Sequence, residues 1–161
     1  MEPLASNGLA QRYRELQEQF DLPQLDELQK KFKISLETGD ETLIEHIRDE
    51  VSDILFDFSE KIIEPLIIGE NFCCEFEQKM LSKEEIDGVF EMYKKIQSLK
   101  WENNLLMISQ DEKKAAEFIK KMWDVWRNDV EGKLNMICRK LADGWSEINF
   151  SGEKTDNHYT G

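Results

Sequence analysis

Apolar side chains recur every three or four residues along most of this chain, which is the spacing of amphipathic α-helices. The three longest stripes predict long helices that begin after Asp40, Ser82 and Ser109. Two shorter stripes predict short helices within 9–20 and 23–32. Since every periodic segment is helical, we predict an all-α fold. Short connections between the long helices make them antiparallel neighbours. The predicted architecture is an antiparallel bundle of about five helices, three long and two short N-terminal ones.

The same pattern divides the chain into one domain and two tails. Residues 1–8 and 146–161 show no helical period, and we expect a disordered start and a disordered C-terminal tail. Residues 9–145 form the predicted single α-helical bundle domain. Pro65 disfavours helix at the residue before it, so the first long helix is expected to end or kink there. The segment 66–81 is apolar enough to be buried, either as a short helix or as a packed turn.

The second long helix is apolar on two faces, which is typical of a central helix. One face is a heptad seam with alternating spacings of three and four, formed by Val89, Met92, Ile96, Leu99, Asn103 and Leu106. The other face begins with Ile86, Phe90 and Tyr93. Ser82 with Glu85, and Ser109 with Glu112, have the spacing of capping boxes and are expected to begin the second and third long helices.

Charge narrows the classes of partner. The chain has 21 basic and 34 acidic residues and a net charge of −13. Eleven acidic and only three basic residues lie within 41–80, which holds −8 of that charge. An acidic surface repels phosphate backbones and anionic lipid headgroups, so we expect no general nucleic-acid binding and no membrane binding. No apolar run approaches the roughly 20 residues of a membrane-spanning helix, and the first residues lack a secretory signal pattern, so we expect a cytoplasmic protein.

Cysteine and histidine offer little chemistry. Cys73, Cys74 and Cys138 are an odd number with one adjacent pair, which is a poor disulfide framework, and we expect free thiols. With no CxxC and only two histidines, a structural zinc site is not expected. No nucleophile motif such as GxSxG is present, so the first interpretation includes no catalytic residue and no cofactor.

The acidic residues of the first long helix share one face. Glu50, Asp53, Asp57, Glu60 and Glu64 follow one another at spacings of three and four. Carboxylates this close repel one another, so a solvated or internally paired face, a protein partner, and a hard divalent cation are the three interpretations. Under the second interpretation, Glu50, Asp53 and Asp57 are candidate partner-binding residues.

Two short motifs resemble those of all-α nucleoside triphosphate pyrophosphatases of the MazG type. Glu50 and Asp53 form an ExxD that leads into an apolar run, and Glu15 and Glu18 form an ExxE. The resemblance covers these two motifs alone, and 31 residues separate them. It implies that these four carboxylates bind Mg²⁺ or Mn²⁺ and that the substrate is a nucleotide, with Arg48 or Lys100 near its phosphates.

One apolar edge of the third long helix is a candidate exposed strip, formed by Phe118, Val125 and Met136. Together with the acidic face it predicts a non-catalytic helical interaction or regulatory protein. Its partner would be an unknown protein or a second copy of the chain. The alternative prediction is a divalent-metal-dependent enzyme that resembles the nucleotide pyrophosphohydrolases.

Overall fold

The computed structural model describes the backbone of residues 4–35 and 42–148, and the side chains of 8–35 and 42–148. The all-α prediction is confirmed: these residues form six helices and no strand. Four are uninterrupted: α1 (Leu4–Phe20), α2 (Leu25–Phe32), α4 (Phe72–Met80) and α5 (Lys83–Ser109). The helix α3 comprises Leu43–Phe58, a π-helical turn at Ser59–Ile63 and Glu64–Ile68. The helix α6 comprises Glu112–Val125, a π-helical turn at Trp126–Val130 and Glu131–Glu147.

Two boundaries differ from those predicted, and one open alternative is decided. The first helix begins at Leu4, not at Leu9, because the residues before Leu9 have no apolar period that would indicate a helix. Of the two alternatives for 66–81, the structure shows the short helix, α4, which is capped by the Asn71 side chain. Helix α6 continues to Glu147, and 149–161, the rest of the predicted tail, lies outside the described residues.

Pro65 neither ends nor breaks α3. A proline in a helix lacks the N–H donor and its ring collides with the carbonyl group four residues earlier. Here a π-helical turn precedes it, and the Glu64 N–H donates to the Ser59 carbonyl, five residues back. This wider turn changes the register of the helix just before the proline. The chain therefore remains helical as far as Ile68.

Side-chain caps determine where the long helices begin. The capping box of Ser82 and Glu85 is present: the Ser82 N–H donates to Glu85 at 2.6 Å and the Glu85 N–H donates to the Ser82 hydroxyl at 3.2 Å. The Thr42 hydroxyl accepts from Glu45 at the start of α3. The predicted cap Ser109 still belongs to α5, and the Asp111 carboxylate caps α6 instead, accepting from the Lys114 N–H at 3.1 Å.

Ion pairs show how the long helices run. Along α5, Glu85, Lys95 and Glu102 pair with Lys140, Asp129 and Lys121 of α6, so the two helices are antiparallel. Between α3 and α6 the residue numbers of contacting pairs increase in the same direction: Ser52 contacts Met122, and Phe58 contacts Trp126. These two helices are therefore parallel. Helix α5 contacts α3 and α6, whereas α3 contacts α1, α2, α5 and α6. The central position predicted for α5 is therefore wrong, and α3 is the more central helix.

The core lies where α1, α2, α3, α5 and α6 meet. Its fully buried large side chains include Tyr13, Phe32, Ile47, Leu55, Met92, Ile96, Phe118 and Ile119. The α5 seam predicted from the sequence is buried along its whole length, including the polar Asn103. None of the described helices combines the length and the apolar composition of a membrane-spanning segment.

Candidate functional site

The acidic face of α3 is largely occupied by contacts within the chain. Glu50 accepts from the Ser35 N–H at 2.9 Å and from its hydroxyl at 3.0 Å, and it lies 3.6 Å from His46. Through these hydrogen bonds Glu50 of α3 contacts the segment that follows α2. Asp57 pairs with Lys61 at 2.6 Å, and Asp53 is exposed.

The four predicted metal ligands do not come together. Glu15 pairs with Arg12 at 3.2 Å, Glu18 is exposed, and Glu50 is held by Ser35. Among the residues that the structure describes, no three acidic, histidine or cysteine side chains are placed to hold a metal ion. The two motifs that resemble those of the pyrophosphatases therefore form no joint site.

The two bases expected near a phosphate also have other roles. Arg48 is buried and donates to its neighbour Asp49 at 2.7 and 3.1 Å. Lys100 of α5 pairs with Glu60 of α3 at 3.0 Å. Both guanidinium and ammonium groups are thus engaged by carboxylates, and neither faces a cluster of acidic ligands.

The predicted apolar strip on α6 is not one surface. Phe118 is 1% exposed and belongs to the core, Val125 is half-buried, and only Met136 is substantially exposed, at 52%. Phe118 belongs to the core cluster, and its helix contacts both α3 and α5. The residue Met136 lies instead in a wide surface groove beside Met80.

A different apolar surface lies on α5. Trp101, Leu105 and Ile108 are 70%, 67% and 83% exposed, and they are spaced by four and three residues. This spacing places them on one side of the helix, and we call the three residues the α5 outer face. The opposite side of the same turns carries buried Leu99, and the face is therefore directed away from the core.

Sequence reasoning missed the α5 outer face, although its signal is present. The segment that reads Trp-Glu-Asn-Asn-Leu-Leu-Met-Ile contains two apolar sets, and the inner set continues the heptad seam. Phe90, which is 46% exposed, lies three turns before Trp101 on the same side, and Lys94 lies over its ring at 5.9 Å. The second apolar side of α5 thus continues past Tyr93 to the end of the helix.

Two concave regions lie against α6. A cavity of about 260 Å³ lies between α3 and α6 beside the π-helical turns, with mainly apolar walls from Phe58, Ile62, Trp126 and Leu134. Its volume is below the range of about 300–1,000 Å³ typical of small-molecule sites. The groove beside Met136 has a volume of about 890 Å³, opens widely to solvent and carries both signs of charge. Neither region gathers the convergent polar groups of a catalytic site.

Three buried polar atoms have no hydrogen-bond partner among the described residues: Ser59 Oγ, Asn103 Oδ1 and Trp126 Nε1. Ser59 and Trp126 are the first residues of the two π-helical turns. The Trp126 ring packs against Phe32 and Phe58, with centroids 5.3 and 5.5 Å apart. The first residue of each π-helical turn thus carries a buried polar atom, and that of Trp126 lies among aromatic rings.

Comparison with known protein families, curated proteins and solved structures finds no match to this chain. Among the described helices, α5 carries the largest set of exposed apolar side chains, which includes the α5 outer face.

Proposed function

We propose that this chain is a non-catalytic protein-interaction module and that the α5 outer face is its binding surface. The observation that carries the proposal is the exposure of Trp101, Leu105 and Ile108 on one side of a single helix. A large aromatic side chain has about 150–250 Å² of surface, and aliphatic ones have less. With 70%, 67% and 83% of Trp101, Leu105 and Ile108 exposed, the three side chains together present roughly 400 Å². Apolar patches of that size on monomers are often interaction sites.

The residue types also favour binding. Tryptophan is among the residues most often found at the energetic centre of protein interfaces. Anchors at positions i, i+4 and i+7 of a helix are the arrangement by which helices bind a groove or a second helix. Trp101, Leu105 and Ile108 have this arrangement.

The helix that carries the face does not depend on it for folding. Helix α5 has 27 residues, a capping box at its start and a buried inner seam that runs to Leu106. Ion pairs on its flanks join Lys100 to Glu60 and Lys95 to Asp129. A rigid, well-supported helix loses little conformational freedom when it binds, which favours affinity.

Among the described residues the four carboxylates of the enzyme alternative form no cluster that could hold a metal ion, so no observation favours that alternative. The proposal includes a cytoplasmic location, which the free thiols of Cys73, Cys74 and Cys138 favour, since oxidising compartments promote disulfides. With a net charge of −13, nucleic acid is not the expected partner.

The proposal is tested by capture of bound proteins with a tagged chain in three versions: wild type, Leu105→Glu and Met136→Glu. Leu105→Glu introduces a charge at the centre of the α5 outer face. Met136→Glu makes the same chemical change at an exposed apolar side chain of α6 and is the matched control. Circular dichroism and thermal melting verify that all three versions fold.

We expect Leu105→Glu to lose the proteins that wild type binds, an untagged copy of the chain included, and Met136→Glu to retain them. Binding that survives Leu105→Glu but disappears with Met136→Glu contradicts the proposal. Binding that disappears only on charge reversal at Asp53 and Asp57 contradicts it too and supports the acidic face of α3. A wild-type chain that captures nothing also contradicts it.

A further inference from the structure

We infer that the occupant of the α5 outer face is a second copy of this chain, which pairs with the first through an antiparallel contact of the two α5 helices. This inference rests on the proposed function, because it requires the α5 outer face to be a binding surface. It adds the identity of the partner and the register of the contact.

Charge is the first argument for a second copy. The chain as a whole carries −13, but from Gln97 to Ser109 the only charged residues are Lys100 and Glu102. Lys100 pairs with Glu60 of its own chain at 3.0 Å, and Glu102 pairs with Lys121 of its own chain. The α5 outer face is therefore a neutral surface on an acidic molecule. When two copies meet at this segment, its charged residues are already paired within each chain, and no unpaired charges of the same sign come together.

Spacing determines the register. Trp101 precedes Leu105 by four residues and Ile108 follows it by three, so the face is nearly symmetric about Leu105. In an antiparallel pair with its two-fold axis beside Leu105, Trp101 of each copy packs against Ile108 of the other. The same residues then serve both copies, as a two-fold interface requires. Antiparallel helices also oppose their dipoles, which favours this direction over the parallel one.

The area is that of a weak dimer. With roughly 400 Å² of apolar surface from each copy, the pair buries an apolar centre of roughly 800 Å², which is within the range of weak, reversible interfaces and below the standard size of about 1,600 Å². Interfaces between identical chains are characteristically apolar at their centres. Phe90 and its neighbour Lys94 lie on the same side of α5, but in this register they are beyond the end of the partner's α5 and take no part in the contact between the two helices.

The first experiment measures the molar mass of the purified full chain by sedimentation velocity, from low micromolar concentration to about 1 mM. We expect a monomer–dimer equilibrium for wild type and for Met136→Glu. Leu105→Glu should weaken the dimer at least about 30-fold, because each copy contributes the buried charge to the same interface centre. A dimer that Leu105→Glu leaves unchanged overturns the inference.

The second experiment tests the register by disulfide cross-linking in a background with Cys73→Ser and Cys138→Ser, which removes the two exposed thiols. Leu105→Cys should cross-link two copies on mild oxidation, because this residue lies beside the axis. Phe90→Cys should not, because the antiparallel register separates the two Phe90 positions by roughly 45 Å along the helices. Cross-linking through Phe90→Cys would indicate a parallel pair and overturn the antiparallel register.

The outcomes separate this inference from the proposed function. A chain that stays monomeric at about 1 mM, while Leu105→Glu still abolishes capture of another protein, overturns the second copy as partner and leaves the interaction surface in place. A chain that stays monomeric and captures nothing contradicts both. If wild type forms a dimer and each of the variants Leu105→Glu and Trp101→Ala weakens it, the result supports the second copy as partner and the α5 outer face as the binding surface.

Discussion

Two apolar side chains of α6 differ in burial: Phe118 lies in the core and Met136 lies at the surface. Phe118 is fully enclosed and Met136 is half exposed, although the sequence pattern placed them on one edge. We expect Phe118→Ala to lower the free energy of unfolding by about 3–5 kcal/mol, because it leaves a cavity in the core. Met136→Ala should change the free energy of unfolding by less than about 0.5 kcal/mol. Urea unfolding followed by circular dichroism measures both, and equal losses would contradict the assigned burial.

Tyr13 provides a second prediction, on pH. Its hydroxyl donates to the Pro23 carbonyl at 2.6 Å, and burial raises the pKa of this phenol well above its ordinary value. Tyr13→Phe should cost about 1 kcal/mol at neutral pH, because it leaves that carbonyl without its donor. Above about pH 10, an exposed phenol in the unfolded chain releases its proton while the native one keeps it. Stability therefore falls as pH rises, and the advantage of wild type over Tyr13→Phe should shrink.

Urea titrations of wild type and Tyr13→Phe at neutral pH and above pH 10 give this difference directly. Other tyrosines and the lysines titrate in both proteins, so their effect cancels in the comparison. A constant advantage of wild type across the range would show that the Tyr13 phenol is as accessible to hydroxide in the native state as in the unfolded one.

The residues of the α5 outer face show what the sequence does and does not reveal. Trp101, Leu105 and Ile108 have the same spacing as the buried seam, so their helical conformation is predictable. Which of two apolar sides is covered depends on the neighbours that the fold supplies, and periodicity contains no information on that. The contact of Glu50 with Ser35 was unpredictable for a similar reason, since it joins two helices across a connection.

Among the helices, the π-helical turns are the elements that the pattern missed. The buried positions Val51, Leu55, Ser59 and Ile63 of α3 are spaced by four throughout. Three steps of four residues rotate about 120° past three full turns of an α-helix. A π-helical turn contains one extra residue, which offsets this rotation and keeps the buried positions directed at the core. The same spacing recurs in α6, where the buried residues are Met122, Trp126, Val130 and Leu134. Apolar or buried positions that repeat every four residues without a step of three are therefore the sequence signal for a π-helical turn.

The start of α5 offers a prediction about a whole helix. The Ser82 hydroxyl accepts from the Glu85 N–H, and the same glutamate pairs with Lys140 of α6 at 2.6 Å. Ser82→Ala should lower the free energy of unfolding by about 1 kcal/mol, because it leaves that N–H donor unpaired at the helix end. Ser82→Thr keeps the hydroxyl and serves as the matched control. Equal losses in the two variants, measured by urea unfolding, would show that the cap is not the cause.

Considered as a whole molecule, the chain combines strong net charge with one neutral apolar face, and this combination predicts an unusual salt dependence. Two copies at −13 each repel at long range, and salt screens that repulsion. The screening length falls from about 30 Å at 0.01 M salt to about 8 Å at 0.15 M. The dimer through the α5 outer face should therefore tighten several-fold over this range, because its own centre contains no ion pair that salt would weaken.

Sedimentation of wild type at both salt concentrations measures this change, and Leu105→Glu should stay monomeric at each. A basic partner bound through the acidic face of α3 would behave in the opposite way, since screening weakens attraction between opposite charges. The sign of the salt effect thus distinguishes the two surfaces of this molecule. Tightening with salt indicates contact between two acidic copies through the neutral face. Weakening with salt indicates a cationic partner that the carboxylates of α3 attract.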